Sequence, residues 1–358
     1  MEIQDYLKQK KELVWSRIDQ YLTQYQEEDL SQLKKSNVGD WQKYLPLLKE
    51  HWWIMREYPE RKGKYVRPGI LLLMVEAMGG SVADAINTAA AMQVSEDWIL
   101  IHDDWEDDSM ERRGGKTLHR MYPQTIAVNA GDGLHDMMHR ILYENIDILG
   151  ASRAREVFHE FSKMLSRTIF GQYVELFWTI DNKQNMSDED VYFTMSGKTV
   201  YYTIAGPLRL GAIIAGATKS QLDLLFDFGC SLGICFQIKD DILDLTSDFS
   251  GMKKQNLNDI YEGKRTIMLA HLMRMADRTE LDYINSILQK SRIDKKTEEV
   301  EEIKRLMISY GSIEYAQEKA EWFAGEALRK LDAMDFFVDT KWKGLFTEMV
   351  EFILHRTT

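Results

Sequence analysis

Apolar residues recur at helical spacing along almost the whole chain, beginning with Ile3, Leu7, Val14, Ile18 and Tyr21 in the first segment. One face of a helix collects residues three and four positions apart, so this spacing indicates amphipathic helices. We find no convincing run of alternating apolar and polar residues of the kind that a half-buried strand shows. The pattern therefore predicts an all-α protein. We expect helices near residues 2–25, 41–57, 67–78, 83–108, 124–147, 151–180, 188–215, 219–246, 263–275, 279–289, 298–309, 312–332 and 340–356.

The chain offers few places where one domain could end and another begin. It has 358 residues and five prolines, and the stretch 124–358 contains only one proline, Pro207. No linker rich in proline, glycine or serine separates the two halves. We therefore expect a single domain over residues 1–358, built as a helical bundle, with the N-terminal helices of residues 1–60 at its periphery.

Charge and composition narrow the class of function. The net charge is -12, from 45 basic and 57 acidic residues, and the basic residues of interest lie beside acidic clusters, which argues against a nucleic-acid-binding surface. Cys230 and Cys235 have no partners at zinc spacing, so we expect buried thiols in a reducing compartment. The longest apolar stretch, 204–217, is too short to cross a bilayer. Because the N-terminus shows no apolar signal region, the cytoplasm is the expected location.

Two aspartate clusters carry the candidate chemistry: DDWEDD beginning at Asp103 and DDILD beginning at Asp240. Residues four apart share a helix face, so Asp103 stacks on Asp107, and Asp240 on Asp244. Like charges about 4 Å apart repel by several kcal/mol at an effective dielectric of about 20, so facing carboxylates need cations between them. Magnesium binds one or two carboxylates together with phosphate oxygens and water. We interpret the clusters as two halves of one magnesium and diphosphate site, although either cluster alone is equally well explained as a solvated helix surface.

The surroundings of both clusters favour a phosphate-bearing ligand. Ile99, Leu100 and Ile101 lead into the first cluster, which indicates that its helix comes from the core. Basic residues follow each cluster closely, as expected of a diphosphate held between metal ions and cationic side chains. They are Arg112, Arg113 and Lys116 after the first cluster, and Lys253, Lys254, Lys264 and Arg265 after the second.

In order along the chain, the motifs GKYVRP, DDWEDDSMERRGGKTLHR, NAGD, FGQ, GKT, FQIKDDILD and EGKRT resemble those of the trans-isoprenyl diphosphate synthases, the family of farnesyl and geranylgeranyl diphosphate synthases. The match runs from about Gly63 to Thr266, and His355-Arg356 resembles the basic tail of the family. The resemblance implies a helical bundle of the isoprenoid synthase type around a central active-site cavity. It also implies a homodimer.

The resemblance further implies the reaction. A short-chain trans-prenyltransferase would ionise an allylic diphosphate with the help of three Mg²⁺ ions and add the allylic group to isopentenyl diphosphate, releasing diphosphate. Asp103 and Asp107 would hold two of the ions and Asp240 the third, with Asp104 and Asp244 in support. No side-chain base is obvious, so we expect the proton to leave with the departing diphosphate.

Family roles carry over to further residues one position at a time. Three basic residues match those that hold the allylic diphosphate, and a fourth matches one at its edge: Arg112, Lys198 and Lys254, then Lys264. Three more match the isopentenyl diphosphate pocket: Lys64, Arg67 and Arg113. Thr199 and Gln237 match polar residues near the reacting carbons, and Gln172 lies in the matching FGQ turn of helix.

The chain departs from the family at a few positions. Glu96 stands where the family has His or Gln as a hydrogen-bond donor to diphosphate. A carboxylate there cannot donate unless it is protonated, and its charge would repel the ligand. Tyr65 replaces a common basic residue, Lys253 replaces a glycine, and Glu175 stands where Asp is frequent. We therefore expect Glu96 to be the weakest point of isopentenyl diphosphate binding.

Residues before the first cluster are expected to set the length of the product. Ile99 lies one turn before Asp103 and Ser95 two turns before it, on the face that a growing chain would follow. An aromatic residue at Trp98 with a non-aromatic one at Ile99 resembles synthases of the geranylgeranyl type. We expect a short-chain product, with geranylgeranyl diphosphate favoured over farnesyl diphosphate. Core packing is the other interpretation of Trp98.

Two other functions remain open from the sequence alone. A terpene cyclase also ionises an allylic diphosphate on DDxxD, but its second metal motif normally contains Asn, Ser and Glu, and it lacks a segment like GKYVRP. A non-catalytic, diphosphate-binding regulatory subunit of another synthase is the second alternative. Glu96 supports that alternative, and the complete aspartate clusters oppose it.

Overall fold

The computed structural model describes residues 2–35, 39–246 and 257–356. The prediction of an all-α protein is confirmed, since the elements of these residues are helices apart from one two-stranded hairpin. In chain order the elements are α1 (Ile3–Lys35), a 3₁₀-helix (Trp41–Lys43), α2 (Leu45–Arg61), α3 (Val66–Ala77), α4 (Val82–Glu106), β1 (Glu111–Arg112), β2 (Gly115–Lys116), α5 (Leu118–Met121), α6 (Gln124–Tyr143), α7 (Asn145–Ile180), α8 (Asp188–Met195), a π-helix (Ser196–Ala205), α9 (Gly206–Ala215), α10 (Lys219–Thr246), α11 (Asn258–Glu262), α12 (Ile267–Met275), α13 (Arg278–Leu288), a second 3₁₀-helix (Arg292–Asp294), α14 (Thr297–Ser309), α15 (Ser312–Asp332) and α16 (Thr340–His355).

The chain divides into two compact units. The first comprises Met1–Phe158 and Ile213–Gly216, and the second comprises His159–Ala212 and Ala217–Thr358. Each unit carries one of the two aspartate clusters. The single domain over residues 1–358 and the central cavity stay predictions.

Helix α4 is the central helix of the first unit and packs against α1, α3 and α6. Its start is set by Ser81, whose side chain accepts a hydrogen bond from the backbone N–H of Ala83, as N-cap residues do. The small residues Ala89, Ala90 and Ala91 are fully buried, which lets neighbouring helices approach closely. Because the helix continues unbroken from this core, the packing fixes the position of the first aspartate cluster.

Helix α10 has the same role in the second unit, where it packs against α15, α16 and the π-helix. A buried ion pair strengthens this core: Arg209 Nη2 donates to Glu160 Oε2 at 3.0 Å, and the Tyr201 hydroxyl donates to the same carboxylate. Burial raises the pKa of Glu160, but these donors outweigh burial and hold the pKa below its ordinary value. Because Glu160 lies on α7, Tyr201 on the π-helix and Arg209 on α9, these contacts connect the three helices. Removing one partner of the ion pair would leave a buried charge uncompensated.

Three features differ from the helices expected from the sequence. Helix α1 extends to Lys35, about ten residues beyond its expected end. The segment 188–215, expected as one helix, consists of α8, the π-helix and α9. Residues 111–116 form an antiparallel hairpin in which Glu111 pairs with Lys116 and Arg112 pairs with Gly115.

One helix in the described part of the chain, α10, has the length and hydropathy of a membrane span. Of its most apolar window, 56% is buried within the protein. Core helices of large proteins share these properties, so this indication is weak.

Candidate active site

Asp103 lies in the last turn of α4, and Asp107 is the C-cap residue that follows the helix. The backbone N–H of Asp107 donates to the Asp103 carbonyl oxygen at 2.8 Å, so the two residues lie one helical turn apart, as their spacing predicts. The Asp103 side chain is 17% exposed, and its Oδ2 lies 3.8 Å from Arg112 Nη2. This turn therefore presents carboxylate oxygens with a guanidinium beside them.

Asp104 has a different environment from Asp103. Its side chain is fully buried, and it accepts hydrogen bonds from the Tyr58 hydroxyl at 2.6 Å and from Arg112 Nε at 2.9 Å. Although burial lowers it, the carboxylates of Asp104 and Asp103 raise the pKa of Arg112 above its ordinary value. These contacts favour a role for Asp104 in positioning Arg112, and its support of a metal ion would act through that contact.

The arginines assigned to isopentenyl diphosphate converge on Glu96. Arg67 Nη1 lies 3.2 Å from Glu96 Oε2, and Arg113 Nη2 lies 3.3 Å from Glu96 Oε1. Arg113 Nη1 also donates to Asp97 Oδ1 at 2.6 Å. A β-carbon at Gly63 would lie 2.9 Å from Arg113 Nη2, so the glycine of the GKYVRP motif leaves room for this guanidinium. The third predicted cation, Lys64, is exposed.

Burial and ion pairing leave Glu96 and Asp97 with pKa shifts in opposite directions. Burial raises the pKa of Glu96, but Arg67 and Arg113 lower it by more, so the pKa lies below its ordinary value and Glu96 is ionised. Burial raises the pKa of Asp97 to about 6, although Arg113 acts in the opposite direction. The two neighbouring carboxyl groups therefore titrate differently.

In the second unit, the aspartates of α10 are held by side chains and backbone of α11 and its flanks. Asp241 is buried and accepts hydrogen bonds from Gln237 Nε2 at 2.7 Å and from Lys264 Nζ at 2.9 Å. Burial raises the pKa of Asp241 in spite of that ammonium group. Asp244 Oδ2 accepts the backbone N–H of Asp259 at 2.9 Å. The structure thus places Gln237 and Lys264 in contact with Asp241 of the second cluster.

Asp240, the predicted ligand of the third ion, is the most accessible member of its cluster, with 53% of its side chain exposed. Arg356 Nη2 donates to Asp240 Oδ1 at 3.0 Å and to the Phe236 carbonyl oxygen at 3.1 Å. His355 pairs with Glu351 at 3.3 Å. The basic tail therefore contacts the second cluster through Arg356.

Lys198 and Thr199 lie in the π-helix, a rare helix type that often marks functional sites. Lys198 Nζ donates to Glu175 on α7. A β-carbon at Gly171 would lie 2.2 Å from the Lys198 backbone nitrogen, so the FGQ glycine allows the two backbones to touch. The FGQ and GKT motifs therefore contact each other at Gly171 and Gly197, where the absence of a β-carbon allows the backbones to approach.

The residues assigned to product length lie on two sides of α4. Ser95 is fully buried, with its hydroxyl donating to the Met92 carbonyl oxygen at 2.8 Å, and Ile99 is half-buried. Trp98 packs on His135 of α6, with 4.1 Å between ring centroids. That contact favours the core-packing interpretation of Trp98, while Ser95 and Ile99 share the face of Asp103.

Some predicted residues add little to this geometry. Lys253 and Lys254 lie outside the described residues. Thr199 and Gln172 are half-buried. Lys116 is exposed on β2, and its carbonyl oxygen accepts from Arg61 Nη1 at 2.8 Å.

The candidate metal ligands of each cluster are two aspartates four residues apart. In the described ranges, no three His, Cys, Asp or Glu side chains converge closely enough to hold an ion alone. Mg²⁺ takes one or two carboxylates and completes its shell with phosphate oxygens and water. The pairs Asp103 with Asp107 and Asp240 with Asp244 therefore fit Mg²⁺ bound together with a diphosphate.

Several residues of the site escape sequence reasoning. Tyr58 comes from the segment expected at the periphery, yet its hydroxyl holds Asp104. Asp97 binds Arg113, and Asp259 connects to both Asp244 and Lys264, whose Nζ lies 3.5 Å from Asp259 Oδ2. Asp97 could have been noted as the second of two adjacent acidic residues that precede the apolar segment 98–101, whereas nothing near Tyr58 in the sequence indicates its partner.

Known proteins match both the sequence and the fold. The polyprenyl synthetase family model matches residues 52–307. The geranylgeranyl diphosphate synthase of Sulfolobus acidocaldarius is 31% identical over 294 residues, covering 82% of this chain and 87% of that protein. Geranylgeranyl pyrophosphate synthetase from Pyrococcus horikoshii Ot3 is 27% identical with a TM-score of 0.76, covering 97% of this chain and 99% of that one. Geranylgeranyl pyrophosphate synthase from Corynebacterium glutamicum, complexed with isoprenyl diphosphate and magnesium, is 23% identical with a TM-score of 0.85, covering 99% and 100%. These matches confirm the resemblance in the motifs, and the chain belongs to the polyprenyl synthetase family.

Proposed function

We propose that this protein is a short-chain trans-prenyltransferase, which condenses isopentenyl diphosphate with an allylic diphosphate and releases diphosphate. Membership of the polyprenyl synthetase family supports the class of enzyme. The observation that carries the proposal is the likeness of the two aspartate clusters: each belongs to a buried helix, and each has a cationic side chain bound to its buried aspartate, Arg112 to Asp104 and Lys264 to Asp241.

Magnesium is the proposed cofactor, with three ions at the aspartate clusters. Asp103 and Asp107 would hold two of them and Asp240 the third, with Asp104 and Asp244 in support. When bound, such ions neutralise the diphosphate and favour its departure. The magnesium in the complex of the Corynebacterium enzyme supports this choice.

The reaction begins as the C–O bond of the allylic diphosphate breaks and the diphosphate leaves with the electron pair. Arg112, Lys198 and Lys264 hold the departing diphosphate and stabilise the charge that develops on it. The double bond of isopentenyl diphosphate then forms a C–C bond to the allylic cation. Loss of a proton to the departed diphosphate restores a double bond. Thr199 and Gln237 lie near the reacting carbons in this account.

Arg112 and Lys198 are prepared for this task by their own carboxylate partners. Asp104 orients Arg112, and Glu175 orients Lys198. A guanidinium or ammonium that is already oriented loses less rotational freedom when it binds the diphosphate. We therefore assign Asp104, Glu175 and Tyr58 to positioning, with no contact to substrate.

The product is proposed to be geranylgeranyl diphosphate, with farnesyl diphosphate as the shorter alternative. The Sulfolobus relative named as a geranylgeranyl diphosphate synthase supports this length. Ser95 and Ile99 are the residues of this chain that share the face of Asp103, and so they are proposed to limit chain growth. Trp98 contributes through its packing on His135.

A homodimer is proposed from the family resemblance, and the cytoplasm stays the predicted location. Helix α7 presents an apolar stripe of residues three and four apart, Phe170, Tyr173 and Phe177, each more than half exposed. Exposed apolar surface of this kind is typical of a protein interface. A second copy of the chain is the proposed partner.

The function is tested by incubating the chain with Mg²⁺, labelled isopentenyl diphosphate and each of dimethylallyl, geranyl and farnesyl diphosphate, then separating the products by length. We expect elongated prenyl diphosphates that end at the geranylgeranyl length. EDTA and the Asp103→Ala substitution should abolish them. Asp282→Ala, which removes an exposed aspartate of α13, should leave them unchanged.

Other results of the same experiment would contradict the proposal. Conversion of an allylic diphosphate alone into a hydrocarbon would indicate a terpene cyclase. Binding of allylic diphosphate without elongation from any starter would indicate a non-catalytic regulatory subunit.

A further inference from the structure

Glu96 occupies the arginine pair that the proposed function gives to isopentenyl diphosphate. Its two carboxylate oxygens are shared between two guanidinium groups, at 3.2 Å from Arg67 Nη1 and 3.3 Å from Arg113 Nη2. The Glu96 side chain is 13% exposed and the Arg113 side chain 11%. Arg113 donates a hydrogen bond to this carboxylate and Arg67 forms an ion pair with it, so a diphosphate would compete with Glu96 for both guanidinium groups.

Asp97 adds a second negative charge to the same arginine. Its side chain is fully buried and accepts from Arg113 Nη1 at 2.6 Å. Arg67 and Arg113 carry two positive charges, and Glu96 and Asp97 carry two negative charges, so these four paired side chains have no net charge. A diphosphate gains little from a group of cations that is neutralised to this degree.

The polar groups around the two carboxylates are incompletely satisfied. Within the described residues, Asp97 Oδ2, Glu96 Oε2, Gln93 Oε1 and the Tyr65 hydroxyl are buried without a hydrogen-bond partner. Three of these atoms are acceptors, so they offer no hydrogen-bond donor to a diphosphate. The contacts that a diphosphate would have to displace are therefore the hydrogen bond from Arg113 to Glu96 and the ion pair between Arg67 and Glu96.

We propose that Glu96 is an internal competitor of isopentenyl diphosphate and sets the affinity of the acceptor pocket. The carboxylate must release Arg67 and Arg113 before the diphosphate can bind them, so the protein binds this substrate weakly. Glu96 is a specificity-determining residue of the acceptor site in this account, which rests on the proposed function. The inference concerns the acceptor substrate, because Glu96 pairs with Arg67 and Arg113, whereas Arg112 of the allylic site pairs with Asp104 and Asp103.

The substitution Glu96→Gln isolates the charge, because Gln has nearly the same shape and can donate a hydrogen bond to a phosphate oxygen. Arg113 keeps Asp97 as a partner in this variant. Glu96→Asp retains the negative charge and serves as the matched control. Glu76→Gln removes a carboxylate of α3 that pairs with Lys10 at 2.9 Å, and so it controls for loss of a charge elsewhere in the first unit.

The test is equilibrium dialysis of labelled isopentenyl diphosphate against the full chain in EDTA, without allylic substrate, so that the metal clusters do not contribute. We expect Glu96→Gln to bind at least about tenfold more tightly than the natural protein, with Glu96→Asp and Glu76→Gln unchanged. Thermal unfolding verifies that each variant is folded, and Glu96→Ala is the second variant should Glu96→Gln fail to fold. Equal or weaker binding by the folded, uncharged variant overturns the inference.

Condensation assays on the same proteins separate this inference from the proposed function. Tighter binding in Glu96→Gln with no condensation by any variant would leave the inference standing and overturn the proposed function. Condensation by the natural protein, with unchanged isopentenyl diphosphate binding in Glu96→Gln, would support the proposed function and overturn the inference about Glu96. A fall in KM for isopentenyl diphosphate with an unchanged KM for the allylic substrate would support both.

Discussion

Charge pairing distinguishes aspartates that look equivalent in the sequence. Asp103 and Asp107 follow the spacing of a metal-binding face, and the sequence alone predicts that Asp104 supports the same metal ions. In the structure, Asp104 instead accepts hydrogen bonds from Tyr58 and Arg112. The i and i+4 relation could be predicted because it is local, whereas the contact with Tyr58 joins residues 46 positions apart and depends on how α2 packs.

The contacts of Glu96 also join residues that are distant in the sequence. The sequence indicates a carboxylate where a hydrogen-bond donor is usual, and it predicts repulsion of the ligand. It does not show that Arg67 and Arg113 already bind that carboxylate, because the two arginines flank it by 29 residues on one side and by 17 on the other. The unusual residue at position 96 can therefore be recognised in the sequence, whereas its ion-pair partners cannot.

Asp97 gives a prediction for the pH dependence of stability. Its pKa is about 6 in the folded protein against an ordinary value of 3.8, chiefly because of burial. The folded state therefore binds a proton more tightly than the unfolded state does, and this contribution to stability is present below pH of about 4 and lost as the pH rises through 6. Asp97→Asn does not titrate. Its free energy of unfolding relative to the natural protein should rise by about 2 kcal/mol between pH of about 4.5 and 7.

Urea unfolding at the two pH values measures this difference. Asp282→Asn, at an exposed position of α13, controls for the general effect of losing an aspartate and should show no such rise. A difference for Asp97→Asn that stays constant or falls with pH would contradict the raised pKa.

At the scale of elements, the helices were largely predictable and the irregular segments were not. Apolar periodicity located α4 and α10 within two residues, because each buries an apolar face over many turns. It also located the part of α7 that follows Gly150, a residue whose backbone is not helical. The π-helix was missed, since its apolar pattern over so few residues does not distinguish it from an α-helix. Close contacts to Gly171 on α7 and to Gly233 on α10 surround it, and these contacts come from elsewhere in the chain. The hairpin at 111–116 was missed because strands of two residues are too short to show alternation.

The contact between the FGQ and GKT motifs predicts a strong effect of a single methyl group. In Gly171→Ala, the new β-carbon would lie 2.2 Å from Lys198 N and 2.5 Å from the Gly197 carbonyl carbon. The π-helix must shift, so we expect a loss of about 1–3 kcal/mol in the free energy of unfolding. Because Lys198 moves with it, kcat/KM for the allylic substrate should fall about tenfold or more. Urea unfolding and steady-state kinetics measure the two effects.

Gly325→Ala is the matched control, since no atom lies within 4 Å of a β-carbon at this position of α15. Alanine is the better helix former, so this variant should gain about 0.5–1 kcal/mol and keep full activity. A Gly171→Ala protein with the stability and activity of the natural chain would show that the two backbones are not in close contact.

At the scale of the whole molecule, the two compact units each hold one aspartate cluster. The order of motifs along the chain predicted the family, and the family match over residues 52–307 confirms it. What the sequence could not supply is the set of partners that hold each cluster: Tyr58 and Arg112 in the first unit, Asp259 and Arg356 in the second. The proposed reaction requires both clusters to act on the same allylic diphosphate.

A double-mutant cycle with Asp103→Asn and Asp240→Asn tests that claim most directly, using kcat/KM for the allylic diphosphate as the measured quantity. If the clusters act as one unit, each single substitution should reduce kcat/KM by about 100-fold or more, and the double variant should lose little beyond the larger single effect. If the losses in the double variant multiply, the two clusters act independently and the proposed single diphosphate site is wrong.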